Sequence, residues 1–199
     1  MMSGLVLASA STARASLLQG AGIQVEIRPA DIDEATIRDR GVAAGQDPAD
    51  IATELAIAKA KTVSEQFPNT SVLGADQVLV HDHTLMSKAR DMPEAREHLL
   101  RLRGGTHQLI SAAALVIDGQ TVWHGADHVK LTMWSFSDEF LDSYLESAGE
   151  QILCSVGCYQ LEGLGAQLFE RVDGDYFTVL GLPLLAVLKA LRETGPVKN

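Results

Sequence analysis

Asp118-Gly119 lies between two runs of strand-forming residues, 107–117 and 121–134, and this arrangement restricts the chain to folds carrying a long antiparallel hairpin. An Asp-Gly pair supplies the positive backbone angles of a tight turn whose twist matches the strands on either side. Strands this long are neighbours in a sheet. Helical patterns before and after them make that sheet mixed and helix-covered, which places the chain in the α/β or α+β class.

The chain opens on a second informative unit, LVLASASTARASLL at 5–18. Leu5, Val6, Leu7 and Ala8 read as a buried strand, Ser9 to Thr12 as a hydroxyl-rich turn, and the following leucines as the inner face of a helix. A helix beginning at Ser11 or Thr12 directs unpaired N–H groups and a positive dipole end at the turn, a geometry that accepts an anion such as phosphate. Arg14 adds a forked, charged donor. Taken alone, the same residues also describe an ordinary N-cap with a solvated arginine in the first turn.

Further along, Gly22 suits a helix C-cap and 23–29 alternates like a half-buried strand. The acidic Asp31, Asp33 and Glu34 read as a solvated loop, and 38–48, with Gly41, Gly45 and Pro48, as loop also. Between Asp50 and Phe67 the residues Ile51, Leu55, Ala58, Val63 and Phe67 keep helical spacing, with Lys59 and Lys61 on other faces. The run 70–82 reads as a buried strand interrupted by Asp76. A carboxylate inside such a strand costs several kcal/mol unless it is paired or metal-bound, so Asp76 is a candidate for catalysis or metal binding. The alternative is a position at a strand end or edge.

Asp91 with Glu94 forms a capping-box pattern, Pro93 fits a first helical turn, and Gly104-Gly105 ends that helix. Ser137 caps a helix burying Phe140, Leu141, Tyr144 and Leu145, and Pro183 opens a final helix through Leu191. The GLGA step at 163–166 lacks the glycine spacing of a dinucleotide fingerprint. No repeat or linker divides the chain, so residues 1–199 read as a single domain.

A net charge of −10 opposes tight binding to a nucleic acid polymer, whose affinity rests on neutralised phosphates. The N-terminus shows neither a basic leader nor a long apolar run, and nothing approaches a membrane span, which predicts a cytoplasmic protein without membrane contact. Cys154 and Cys158, without a second pair, predict small buried thiols and no structural zinc. His81 and His83 read as a polar turn, His107 as the owner of a structural hydrogen bond, Asp175 as a turn residue, and Trp123 and Trp134 as packing residues.

Together the segments ASASTAR (8–14), DIDE (31–34), LAIAKA (55–60), GADQ (74–77), SKARD (87–91), LRGGTHQ (102–108), YQLEGLGA (159–166) and GDYFTVLGLP (174–183) resemble the Maf family of nucleoside triphosphate pyrophosphatases. That family is related in fold to the inosine triphosphate pyrophosphatases. The resemblance spans nearly the whole chain and implies a central mixed sheet flanked by helices, with an active-site cleft between two lobes. It departs from the family at Thr12 and Ala13, where a proline and a bulky or basic residue are usual, and at Ser87 and Ala89 around Lys88.

The resemblance implies hydrolysis of a nucleoside triphosphate between its α and β phosphates, with a divalent cation, Mg²⁺ or Mn²⁺, and a homodimer. By its motifs Arg14, Lys59 and Lys88 clamp phosphates, Ser9 and Ser11 complete the anion site, Glu34 and Asp76 hold the metal, and Asp76 is alternatively the general base. Base choice falls to Ala13, Gln77 and Glu162. Gln77 and Glu162 resemble the branch acting on 7-methyl-GTP rather than the dTTP/UTP branch, whereas Ala13 removes the aromatic stacking partner a methylated base would use. A nucleotide-binding regulator of cell division without turnover is the alternative of another class.

Overall fold

The structure, a computed structural model, describes residues 4–194; residues 1–3 of the stretch read for a leader, and 195–199, lie outside the described residues. Along the chain run β1 (Leu5–Leu7), α1 (Thr12–Gly20), β2 (Val25–Ile27), α2 (Glu34–Ala43), α3 (Pro48–Ser64), β3 (Ser71–His81) and β4 (Thr84–Met86). They are followed by α4 (Met92–Leu102), β5 (Thr106–Ile117), β6 (Gln120–Met133), α5 (Asp138–Ala148), β7 (Phe169–Asp173), α6 (Tyr176–Val179) and α7 (Leu184–Thr194). Short 3₁₀ turns at Glu150–Cys154 and Leu164–Leu168 lie between α5 and β7. The sheet has the order β2-β1-β3-β5-β6-β7, with β4 paired to β3. β1 is parallel to both β2 and β3, and β6 is antiparallel to β7, so the sheet is mixed as the sequence predicts.

Two compact units divide the chain, and neither is a continuous segment. The first holds the residues up to Gln77, Ile110–Asp127 and those from Tyr176 onward; the second holds Val78–Leu109 and His128–Asp175.

In the first unit, strand alternation sorts side chains between two helical layers. Leu5, Leu7, Leu73, Ala75, Ala113 and Leu115 share a core with Ala15 and Leu18 of α1 and Leu184, Val187 and Leu191 of α7. Val6, Ala8, Val72 and Val116 instead meet Ala60 and Val63 of α3. Gly74 lies on the α3 side, where an added Cβ would stand 2.0 Å from the Ala56 carbonyl oxygen and 2.9 Å from Ala60 Cβ. The helix can lie that close to the strand only because position 74 has no side chain.

The hairpin forms as predicted, with Asp118 at φ 49° and Gly119 at φ 74°. α1 ends in a Schellman arrangement: Gly22, at φ 80°, donates to Gln19 O and Ile23 donates to Leu18 O. The loop expected at Glu34 and over 38–43 is corrected, while Asp31, Asp33 and 44–47 lie in loops as expected. Asp33 caps α2 by accepting from the Thr36 N–H, and Glu34 is its first residue. Gly41 inside α2 marks close packing rather than a break, because a Cβ there would approach Ile51 Cγ1 of α3 to 2.7 Å. β2 has no buried residue, as befits a sheet edge.

In the second unit, Asp82 and His83 form the left-handed turn joining β3 to β4. Asp91 caps α4, but the Glu94 carboxylate accepts from the Arg90 N–H, one residue before the cap, rather than closing the box. Trp134 is 49% exposed, a correction to its reading as a packing residue: Met133 points inward, so the next side chain points out. Cys154 is exposed and Cys158 buried, both free. No group of three metal-ligating side chains occurs among the described residues, and no helix among them is long and apolar enough to cross a membrane.

His107 makes its structural hydrogen bond, 2.6 Å from Nε2 to the Tyr159 hydroxyl, within a cluster that includes Phe169. Burial, with a smaller contribution from His81, pushes the imidazole from 6.5 down to about 3. Between these values the unfolded chain binds a proton that the folded chain refuses, so stability conferred by the neutral ring is full above 6.5 and lost as pH falls. The loss attributable to His107 is about 1.4 kcal/mol per pH unit in that window. Urea midpoints at pH 7, 6 and 5 measure it, and H107Q should show the shallower decline; an equally steep one would assign the acid sensitivity elsewhere.

Candidate active site

Alternation along β3 decides where its two polar residues go. Asp76 follows Val72 and Gly74 to the α3 side, while Gln77 follows Leu73 and Ala75 to the other. Lys59 of α3 reaches Asp76, with Nζ 2.5 Å from Oδ1, and both residues are only 7% exposed. The same Nζ lies 2.9 Å from Glu34 Oε1 at the start of α2. One buried ammonium therefore spans two carboxylates contributed by different elements. Asp76 Oδ2 and Glu34 Oε2 have no partner among the described residues.

The turn after β1 is built on hydroxyls. Ser9 Oγ accepts from the Ser11 N–H at 3.2 Å, and Ser11 Oγ caps α1 by accepting from the Arg14 N–H at 3.3 Å. The N–H groups of Thr12 and Ala13 have no partner among the described residues, so the helix start retains two donors for an anion. Arg14 is buried. Its Nε donates to Gly181 O at 2.8 Å, and its Nη1 donates to Ala75 O at 2.8 Å and Ser9 Oγ at 3.0 Å. Nη2 alone is left for a ligand among its guanidinium nitrogens. Burial lowers the Arg14 pKa, opposed by the charges of Asp76 and Glu34, so the guanidinium belongs electrostatically to the same cluster.

Gln77 turns its amide nitrogen inward, donating toward Ser111 Oγ, Thr178 O and Val179 O at 3.0 to 3.1 Å. Two backbone carbonyls fix which end of the amide is nitrogen, and Oε1 has no partner among the described residues. Ala13, in the first turn of α1, is half-buried. Within the first unit the fold thus assembles Glu34, Lys59 and Asp76 as one group and Ser9, Ser11, Ala13 and Arg14 as another. Lys88, exposed between β4 and α4, and Glu162, exposed before the second 3₁₀ turn, belong to the second unit.

Sequence reasoning passed over Ser111, Thr178 and Gly181. Ser111 carried a signal: it is a hydroxyl inside the apolar run 109–117 and has no exposed surface. Gly181 and Thr178 act through carbonyl oxygens, which every residue has.

A helix-covered mixed sheet bearing a buried lysine between two carboxylates, with an open helix N-terminus beside it, defines an α/β protein equipped for anion and acid–base chemistry. The chain matches the family described as Maf-like protein over residues 4–194, and it belongs to that family. It is 50% identical over 190 residues to a nucleoside triphosphate pyrophosphatase of Paramagnetospirillum magneticum, covering 96% of this chain and 98% of that protein. It is 48% identical over 193 residues to a 7-methyl-GTP pyrophosphatase of Rhizobium meliloti, covering 97% of each. Among solved structures, a dITP/XTP pyrophosphatase from Mycobacterium abscessus aligns at 15% identity and a TM-score of 0.44, over 96% of this chain and 98% of that one.

Proposed function

We propose that this protein hydrolyses a nucleoside triphosphate to a nucleoside monophosphate and pyrophosphate. The observation that carries the reading is the buried Lys59–Asp76 pair joined by Glu34, in a chain about half identical to proteins named for that activity. Binding alone would not require a desolvated carboxylate with one oxygen left open.

In this reading water attacks the α-phosphorus and the bond from that phosphorus to the oxygen bridging to the β-phosphate breaks. Asp76 Oδ2 takes the proton from the attacking water, and the bridging oxygen leaves on pyrophosphate. Lys59, anchored on Glu34, orients the Asp76 carboxylate so that Oδ1 is occupied and Oδ2 is the acceptor. The N–H groups of Thr12 and Ala13 with Arg14 Nη2 bind phosphate oxygens, and Lys88 is assigned to the same task by its motif. In the alternative role for Asp76 its open oxygen, with that of Glu34, would hold Mg²⁺ or Mn²⁺, which takes one or two protein carboxylates and completes its shell with water and phosphate. Bound there, the cation would supply positive charge to the triphosphate.

The substrate favoured is a modified guanine nucleotide, 7-methyl-GTP, with dTTP or UTP as the alternative. Gln77 and Glu162 are assigned to the base by their motifs, a carboxamide oxygen and a carboxylate can each accept from guanine N–H groups, and the name of the Rhizobium relative agrees. The reading also includes a homodimer in the cytoplasm, and light scattering measures the former.

Pyrophosphate release across a nucleotide panel, with Mg²⁺ or Mn²⁺ and then with chelator, tests the activity. The expected outcome is release from 7-methyl-GTP that falls at least about 100-fold on chelation, on the scale of metal-supplied charge stabilisation. Saturable nucleotide binding with no pyrophosphate from any member would instead support a regulator.

A further inference from the structure

The residues flanking Asp76 are both tied to one short segment late in the chain. Before it, the Ala75 carbonyl accepts from Arg14 Nη1, and Arg14 Nε donates to Gly181 O. After it, Gln77 donates to Thr178 O and Val179 O. Ser111 of β5 closes the arrangement. Its hydroxyl donates to Thr178 O at 2.8 Å and accepts from Gln77 Nε2 at 3.0 Å. Thr178 Oγ1 in turn donates to Asp127 Oδ2 of β6 at 3.2 Å.

Segment 178–181 therefore has the carbonyls of Thr178, Val179 and Gly181 held from α1, β3 and β5, and its one hydroxyl from β6. At its centre Ser111 is wholly buried, so water cannot replace its hydroxyl without a cavity opening. We propose that Ser111 is a positioning residue: through Gln77 and segment 178–181 it fixes the backbone of β3 at Asp76, on the opposite face of the sheet from the carboxylate. The inference rests on the catalytic role proposed above for Asp76. Ser111 touches no reacting atom. Its loss lets the Gln77 amide and the segment relax, and the general base shifts by a fraction of an ångström.

The test compares S111A with S111T, which keeps the hydroxyl, in the full chain. For S111A, kcat for pyrophosphate release should fall about 10-fold, since misplaced catalytic groups lose rate, with a smaller rise in KM from the loosened Gln77 amide. S111T should recover most of that loss. In hydrogen exchange, the amides of Leu180, Gly181 and Leu182, which close the turn on Tyr176, Thr178 and Phe177 carbonyls, should exchange at least roughly 3-fold faster in S111A.

A lowered Tm with unchanged kcat and unchanged exchange overturns the proposal, reducing Ser111 to packing. A change in KM or nucleotide preference at constant kcat also overturns it, moving Ser111 into base recognition. If the wild-type protein releases no pyrophosphate, the catalytic reading fails on its own. The exchange measurement then decides whether Ser111 holds the segment.

Discussion

Asp76→Asn should reduce pyrophosphate release by about 10²- to 10⁴-fold, the range removed with a positioned general base. The protein should remain folded. Removing one partner of a buried ion pair ordinarily costs about 3–5 kcal/mol because it strands the other charge. Here Lys59 keeps Glu34 at 2.9 Å, and the asparagine carbonyl can still accept from the ammonium. Circular dichroism and a thermal scan establish the fold, and steady-state kinetics on the preferred nucleotide establish the loss. Near-normal turnover by D76N would remove both roles assigned to this carboxylate, base and metal ligand, since each requires its charge.

Gly74→Ala is expected to have the largest effect on stability. Its Cβ would arrive 2.0 Å from a helical carbonyl oxygen, which cannot swing aside as a long side chain would. Either α3 or β3 must move, at a cost of roughly 3 kcal/mol or more, the upper end of overpacking penalties. For a chain of this size that corresponds to a Tm lower by roughly 6–12 °C. Any surviving protein would also be impaired in catalysis, because Lys59 rides on the displaced helix. Gly20→Ala is the control: that Cβ would meet nothing within 4 Å, in a backbone conformation open to any residue. Equal melting temperatures for the two variants would show that the close approach of α3 to β3 carries no energetic weight.

Much of this was legible in the sequence, for reasons that differ from place to place. The hairpin was readable because Asp118-Gly119 determines its own backbone angles without outside help. Asp76 stood out because a carboxylate among buried β-branched and apolar residues demands a partner. That the partner is Lys59 follows from no local pattern, and the resemblance gave Lys59 to phosphate clamping instead; the close approach of α3 to β3 at Gly74 explains how the lysine reaches the carboxylate.

Arg14 shows where local reading stops. Its acceptors are backbone carbonyls 61 and 167 positions away, so sequence chemistry marks a cation but not the inward use of two of its nitrogens. α2 was hidden by Gly41, whose ordinary meaning is a break. Its actual meaning depends on Ile51 of the neighbouring helix. Trp134 was misread because an aromatic side chain suggests burial until strand phase is known.

The discontinuity of the two units governs the order in which this chain can mature on the ribosome. The core of the first unit needs Leu184, Val187 and Leu191 of α7, which are translated after every segment of the second unit. The second unit draws only on Val78–Leu109 and His128–Asp175, all made earlier. Segment 178–181 is late as well. A nascent chain stalled before residue 176 therefore already contains Glu34, Lys59 and Asp76 but lacks the carbonyls that accept from Arg14 and Gln77 on either side of Asp76.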